Sequence, residues 1–212
     1  MSGRRGIGVK AEDLLKALAT RAHERIVRER ADAIPDEKDR SRIAAQIAVG
    51  ALRYYMLRFT RNRVIAFDLE DAIAFEGETG PYLQYAAVRS TNIFNKLGAR
   101  EGFSREGIDA RIDAASFGAL EPEDALEHWQ IVREMARLDE IIEQAAASLE
   151  MSLLARYVFS VAQRFSAFYH RYPILHETDP GRRTLRIALH EIFLRFMDRS
   201  FELMGLPLPE RM

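Results

Sequence analysis

Three long runs of apolar residues at helical spacing constrain the fold of this chain more than any other feature. They cover residues 122–148, 149–171 and 180–204, and Gly205 and Pro207 follow the last. Within each run the apolar side chains recur every three or four residues, which places them on one face of a helix. Such faces need partners, so the pattern predicts an all-α helical bundle. The predicted core stripes are Leu126, Trp129, Val132, Met135, Leu138 and Ile142; Leu153, Leu154, Tyr157, Val158, Val161, Phe165 and Phe168; and Leu185, Leu189, Ile192, Phe193, Phe196 and Met204.

The first part of the chain predicts further helices separated by turns. A first helix covers residues 12–33 and a second covers residues 36–58. After an extended piece over residues 64–67, Asp68 is placed to cap a short helix that ends by Phe75. The candidate core positions of the first two helices are Leu14, Leu15, Leu18, Ile26, Ile43, Ile47, Leu52, Tyr55 and Met56.

The composition excludes several classes of site. There is no cysteine, so disulfides, thiolate metal ligands and thiol nucleophiles are excluded. The five histidines are scattered without carboxylates at ligand spacing, which predicts that the chain binds no metal ion. The formal net charge is −1, although residues 101–150 form an acidic segment between basic flanks. No apolar run is long enough to span a membrane and no signal peptide is recognisable, so we expect a cytoplasmic protein.

The segment FEGETGPYLQYAAVR, residues 75–89, carries the clearest functional pattern. A glycine-rich turn precedes Pro81, and proline suits the first turn of a helix. Tyr82 and Tyr85 are three residues apart, so their rings lie on one face near the start of that helix. Arg89 follows four residues later on the same side. The segment thus predicts a helix N-terminus that presents two rings and a guanidinium.

The helix that opens at Pro81 is predicted to end at Gly98, because glycine suits the residue just after a helix. Residues 98–121 contain four glycines and show no clear periodicity. We therefore expect a long loop there, and long loops in compact domains are usually functional or disordered.

Two interpretations of these patterns stay open from the residues alone. Rings and an arginine at a helix N-terminus suit an unstacked RNA base and a nearby phosphate. Aromatic pairs at helical spacing are also common in buried packing faces. Two interpretations are also open for four arginines around the end of the second helix. Their positive charge suits binding to phosphates, and it also suits stabilisation of the negative end of the helix dipole. These residues are Arg53, Arg58, Arg61 and Arg63.

Four segments, in order along the chain, resemble the C-terminal anticodon-binding domain of arginyl-tRNA synthetases. FEGETGPYLQYAAVR is similar to the family signature FEGNTAPYLQYAHAR, and NRVIAFDLEDAI, residues 62–73, resembles the extended run that precedes it. FSAFYHRYPIL, residues 165–175, and LMGLPLPERM, residues 203–212, are similar to the family segments F..FY…PIL and LLGI..PERM. The resemblance covers roughly residues 40–212 and implies a helical bundle of the type that binds anticodons.

The resemblance also implies a set of tRNA-binding residues. In the family, the matching elements lie near the pocket for the middle cytosine that most arginine tRNAs share. This chain departs from the signature at Ala87 and Val88, where the family has histidine and alanine. The implied tRNA-binding residues are Tyr82, Gln84, Tyr85, Arg89, Tyr169, Arg211 and Met212.

The N-terminal run MSGRRGIGVKAEDLL, residues 1–15, resembles KMSTRKGNVVKLEDLL, which carries the KMSKS loop of class I synthetases. In the family that loop stabilises the phosphates of ATP. The residues that correspond to it are Met1, Ser2, Arg4 and Arg5, although in this chain taken by itself a flexible terminus rich in glycine and arginine is the favoured interpretation. The implied organisation is a linker and helix over residues 1–35, followed by the anticodon-binding bundle over residues 36–212.

The predicted function is recognition of the anticodon loop of an arginine tRNA, for aminoacylation by an arginine–tRNA ligase. The nucleotide-binding signature of the catalytic half has no counterpart in the sequence, so we predict no catalytic residue, and the chain alone is expected to be inactive. No cofactor is predicted for the chain itself, whereas the resemblance implies ATP for the full-length ligase. The expected partners are an arginine tRNA and the catalytic domain, not DNA or a membrane. The alternative is a non-catalytic helical module that binds another protein.

Overall fold

The computed structural model describes residues 10–106, 118 and 120–212. Eight α-helices are described in full, and none of the described residues lies in a β-strand, as the all-α prediction requires. The remnant residues Met1, Ser2, Arg4 and Arg5 lie outside the described part of the chain. The helices are α1 (Ala11–Arg30), α2 (Glu37–Leu57), α3 (Leu69–Ile73), α4 (Gly80–Glu101), α5 (Pro122–Ala136), α6 (Leu138–Ser148), α7 (Met151–Arg171) and α8 (Pro180–Met204).

The predicted helix starts are confirmed by their capping bonds. The Asp36 carboxylate accepts the N–H groups of Lys38 and Asp39 at 2.7 and 3.2 Å, and the Asp68 carboxylate accepts that of Asp71 at 2.9 Å. These bonds satisfy N–H groups that a helix start leaves without an internal partner. The Asp179 carboxylate does the same for α8, where it accepts the N–H of Arg182 at 2.8 Å.

The chain divides into two compact units, and each has its own core. The first unit contains the residues up to Tyr85 together with Phe201–Met212, and the second contains Ala86–Ser200. In the first unit, α1, α2 and α3 bury a shared cluster that includes Leu18, Ile26, Ile43 and Ile47. The predicted boundary at residue 35 stays a prediction, although helices on both sides of it contribute to this one core.

The core of the second unit is rich in aromatic rings. Phe165 of α7 and Phe193 of α8 stack face to face, with centroids 3.8 Å apart. His190 is completely buried beside them, and its Nδ1 lies 2.8 Å from the Ser90 hydroxyl. A second cluster of this unit combines Ile93, Phe94, Leu97, Ile174, Ile187, Ala188 and Leu194.

Two predicted helix boundaries were wrong. The helix predicted over residues 122–148 is broken at Arg137, whose ψ of 4° departs from α-helical geometry. At this break the Tyr157 hydroxyl donates to the Glu134 carbonyl. The carbonyl thus gains a side-chain donor in place of the backbone N–H that a continuing helix would supply. In addition, α4 continues past Gly98 to Glu101, and Gly102 adopts the left-handed conformation instead, with φ of 64°. Residues 98–101 therefore belong to the helix and not to the predicted loop.

Several predicted core positions are exposed instead. Trp129 keeps 58% of its surface exposed and Leu126 keeps 62%. The other exposed members of the predicted stripes are Met56, Leu153 and Ile192. No helix in the described part of the chain is long and apolar enough to cross a membrane.

Candidate nucleic-acid interface

The start of α4 is fixed by the turn that precedes it. Gly77 has φ of 76°, a conformation that side chains with a Cβ rarely adopt. Thr79 donates its hydroxyl to the Ala74 carbonyl at 2.6 Å and accepts the N–H of Tyr82 at 3.2 Å, so it caps the helix. Tyr82 and Tyr85 are both half-buried. Neither ring belongs to the buried core, so the fully buried packing interpretation does not hold for them.

Gln84 has a different environment from the tyrosines beside it. Its side chain is completely buried, and its amide nitrogen donates to the Gln46 carbonyl at 3.0 Å and to the Pro207 carbonyl at 2.7 Å. A buried amide with this geometry cannot also present its N–H groups to a ligand. The structure therefore gives Gln84 the role of joining α2 to the C-terminal tail, and both of its amide hydrogens are used within the fold instead of in the predicted contact with tRNA.

The C-terminal tail is held against the first unit at several points. Gly205 ends α8 with φ of 64°, and its carbonyl accepts a bond from the Arg53 guanidinium at 2.5 Å. Glu210 lies 3.5 Å from Arg42 of α2. Arg211 is exposed, and its guanidinium lies 3.5 Å from the Ala33 carbonyl. These contacts bring Met212 against the core of the first unit.

Tyr85 and Met212 line one groove of about 500 Å³ in the first unit. That volume lies in the usual range for a ligand pocket. Tyr85, Phe75 and Met212 give the groove two aromatic rings and a thioether, which suit the flat apolar faces of a base. Its lining is completed by Ala22, Arg25, Ile26, Glu29, Arg30, Ile47, Ala74 and Glu76.

Charged side chains of α1 form the polar part of this groove. The Arg25 guanidinium lies over the Phe75 ring, 4.3 Å from its centroid, and donates to Glu29 at 3.1 Å. Hydrogen bonds from Arg28 and Arg25 lower the pKa of the Glu29 carboxyl, which keeps it ionised. The groove therefore offers both guanidinium donors and carboxylate acceptors near its aromatic rings, which is what base-edge recognition requires.

Sequence reasoning missed the contribution of α1 to this site. Arg25 and Glu29 are four residues apart, and such a pair is typical of a solvated helix face. Phe75 was inside the segment singled out from the sequence, but its position beside the turn did not distinguish it from a core residue. A signal for Arg25 would have required knowing that α1 and the turn before α4 pack in the same unit.

Arg89 and Tyr169 come together in the second unit. The Arg89 guanidinium lies over the Tyr169 ring at 4.1 Å and has a nitrogen 3.3 Å from Nε2 of His170. Because a guanidinium has donors and no acceptor, Arg89 is the donor in this contact and Nε2 of His170 is the acceptor. Stacking holds the guanidinium plane in one orientation and leaves its edge suited to a phosphate or carboxylate.

Groups of three or more side chains that could hold a metal ion are absent from the residues that the structure describes. The buried charged side chains among these described residues form ion pairs that stabilise the fold. Glu177, for example, pairs with Arg186 at 2.6 Å inside the second unit.

The sequence matches the DALR anticodon binding domain family over residues 83–212. Whole-chain alignments give 32% identity to the arginine–tRNA ligase of Halorubrum lacusprofundi and 33% to that of Lactococcus lactis subsp. cremoris. The chain spans 36% and 34% of the length of those two relatives. The arginyl-tRNA synthetase structure of Thermus thermophilus superposes with a TM-score of 0.81 at 26% identity, over 100% of this chain and 33% of that one. The chain therefore belongs to the DALR anticodon-binding-domain family, in the form found in arginyl-tRNA synthetases.

Proposed function

We propose that this chain recognises the anticodon loop of an arginine tRNA, for aminoacylation by an arginine–tRNA ligase. The observation that carries the proposal is the groove in which Tyr85 and Met212 meet. These two residues are 127 positions apart in the sequence, and both belong to the tRNA-binding set that the family resemblance implies. A shared groove is what one binding site for one base requires.

The groove chemistry suits an unpaired base that has left the anticodon stack. The rings of Tyr85 and Phe75 provide faces for stacking, which contributes ~1–3 kcal/mol per base. Glu29 can accept hydrogen bonds from an exocyclic amino group, and Arg25 and Arg30 can donate to a carbonyl or ring nitrogen. This combination fits cytosine, which carries an amino donor next to acceptors.

Outside the groove, Arg89 is the candidate phosphate ligand, held in place by Tyr169 and His170. Arg211 remains a candidate contact because it is exposed beside the tail. We assign catalysis and ATP binding to a catalytic domain that acts as the partner of this chain. We also assign the residues that correspond to the KMSKS loop to ATP binding together with that catalytic domain; they are Met1, Ser2, Arg4 and Arg5. A cytoplasmic location is part of the same proposal, with neither DNA nor a membrane as a partner.

The groove assignment is tested by Tyr85→Ala and by deletion of Met212. We expect each change to weaken binding to an arginine tRNA transcript by about tenfold, since a stacked base contributes ~1–3 kcal/mol. Tyr82→Ala, on the same helix face but outside the groove lining, is the matched variant and should have the smaller effect. Far-UV circular dichroism reports whether the helices are kept. Normal binding by both groove variants would refute the assignment.

A second candidate function is a helical module that binds another protein. The exposed apolar residues Leu126 and Trp129 favour it, because they are three positions apart on α5 and so form one exposed apolar patch, and contiguous patches mark protein interfaces. The salt dependence of binding separates the two functions. RNA binding weakens steeply as salt rises, whereas an apolar protein interface is little affected.

A further inference from the structure

A small pocket in the second unit lies between α5 and α8. It has a volume of about 60 Å³, and all the residues that line it belong to this unit. Leu185 and Leu189 of α8 are buried and form its floor, whereas Trp129 of α5 keeps 58% of its surface exposed and lies at its mouth. The pocket therefore opens to the surface along α5. Its lining is completed by Leu120, Ala125, His128 and Val132.

His128 carries the one hydrogen-bond acceptor among the side chains of this lining. The residue is only 3% exposed, and its Nδ1 lies 2.6 Å from the Asp124 carbonyl. A carbonyl oxygen can only accept, so Nδ1 carries the proton and Nε2 of the neutral ring is an acceptor. Burial lowers the pKa of His128, which favours this neutral form.

Nε2 of His128 is buried and has no hydrogen-bond partner among the residues that the structure describes. Because Nδ1 faces the backbone of α5, Nε2 lies on the edge of the ring that points away from that backbone. The rings of Phe168 and Tyr172 pack against the imidazole, each with its centroid 4.8 Å away, and they hold it in this orientation. A buried acceptor without a donor costs free energy, and a donor placed in the pocket removes that cost.

The volume of the pocket limits what it can hold. A dry cavity of ~150 Å³ binds benzene, and one molecule of liquid water occupies ~30 Å³. The pocket, at about 60 Å³, therefore suits the branched end of an aliphatic group and is too small for an aromatic ring. Such an end has roughly three or four heavy atoms, which fill the apolar part of the pocket and leave one polar atom for Nε2.

We propose that this pocket binds a small branched aliphatic group that carries one hydroxyl, and that this hydroxyl donates its hydrogen bond to Nε2 of His128. A free branched alcohol and the side chain of a threonine in another protein present this same chemistry. The pocket shares no residue with the groove of the first unit, so the inference is independent of the proposed tRNA function.

The test titrates the unchanged protein with isopropanol and with acetone, and NMR follows the methyl groups of Val132, Leu185 and Leu189. The two probes have the same heavy-atom skeleton, but acetone has no donor for Nε2. We expect isopropanol to bind about tenfold more tightly, because a site with a buried acceptor rejects an analogue that lacks the donor. Equal binding would show that solvent already satisfies Nε2 and would overturn the proposal. Methyl groups that do not respond to isopropanol would overturn it as well.

Two variants show whether the response comes from this pocket. Ala125→Leu fills the pocket and should abolish the response to isopropanol, whereas Ala136→Leu, at an exposed position of the same helix, should keep it. His128→Phe keeps a ring but removes the acceptor, so it should bind isopropanol and acetone alike. Circular dichroism reports whether each variant is folded. A preference for isopropanol that persists in His128→Phe would overturn the proposal.

Two capped tripeptides distinguish the sources of the bound group. One has a threonine between two lysines, and the other has a valine there, which matches threonine in shape but has no donor. The lysines suit Glu121 and Glu123, which are exposed and lie between two lining residues in the sequence. Tighter binding of the threonine peptide assigns the pocket to a side chain of another protein. A preference for isopropanol over acetone, with no preference between the peptides, assigns it to a free ligand.

Discussion

The groove of the first unit and the interior of the second contain the same types of side chain, but these side chains have different functions in the two places. In the groove, Tyr85, Phe75 and Arg25 surround about 500 Å³ of open space. In the second unit, the Phe165 ring contacts both Phe193 and His190 directly, and the cavity beside Arg89 measures only about 10 Å³. Rings and polar groups that enclose space can bind a ligand, while those that fill it stabilise the fold. The comparison predicts that substitutions in the two regions have separable effects.

The largest expected effect comes from the ring stack of the second unit. Phe193→Ala should lower the free energy of unfolding by about 3–5 kcal/mol, because it leaves a cavity against Phe165. Ile192→Ala, one residue earlier and partly exposed, is the control and should cost far less. Urea denaturation measures both. Similar losses for the two variants would contradict the description of this interior as tightly packed.

Gln84→Leu tests the groove side of this comparison. The change removes the two hydrogen bonds to the Gln46 and Pro207 carbonyls, which costs about 1–3 kcal/mol of stability for the pair. The tail should also loosen, so we expect faster amide hydrogen exchange over residues 205–212 and weaker tRNA binding. Gln163→Leu, at an exposed position of α7, is the control. Unchanged exchange in the tail would remove Gln84 from its positioning role.

The buried histidines of the second unit make its stability depend on pH. Burial lowers the pKa of His190 to about 3, so the folded chain keeps this ring neutral, and burial also lowers the pKa of His128. The unfolded chain takes up protons below about pH 6.5. The free energy of unfolding should therefore fall as the pH drops below that value, by about 1.4 kcal/mol per pH unit for His190.

Denaturation between pH 7 and pH 5 measures this dependence before most carboxylates titrate. His190→Gln should reduce the slope, whereas His176→Gln, at an exposed position, should leave it unchanged. A slope that is the same in His190→Gln and the unchanged protein would show that His190 is accessible to protons in the folded state.

The smallest expected effect concerns the orientation of Arg89. Tyr169→Leu removes the ring under the guanidinium and should weaken tRNA binding by about 0.5–1 kcal/mol, the usual contribution of an exposed cation–π contact. Tyr169→Phe keeps the ring and should bind normally. In an Arg89→Gln background, Tyr169→Leu should have no additional effect. Additive losses would mean that Tyr169 acts independently of Arg89.

Local signals made most of the fold predictable from the sequence. Asp36, Asp68 and Asp179 cap helices because their carboxylates bind N–H groups two or three residues away, and such short-range chemistry is visible in a sequence. The break at Arg137 was not predictable, because it depends on the Tyr157 hydroxyl from another helix. The exposure of Trp129 was missed for a related reason, since periodicity shows which side of a helix is apolar but not whether anything covers it.

The candidate site was only partly predictable. Tyr85 and Met212 were implied by resemblance, and the structure brings them together. Gln84 was assigned to the ligand because it matches the family signature, whereas its position on the helix turns it inward to the tail. Arg25 and Glu29 could not be predicted, because their place in the groove follows from the packing of α1 and not from any pattern within it.

The most direct test of the account is a titration of this chain with an arginine tRNA and with the same tRNA changed at the middle base of its anticodon. The account predicts tighter binding to the unchanged tRNA, by about tenfold or more, as expected when a base-specific contact is lost. It also predicts that Tyr85→Ala removes most of this difference. Equal binding to both tRNAs would contradict the central claim that the groove recognises an anticodon base.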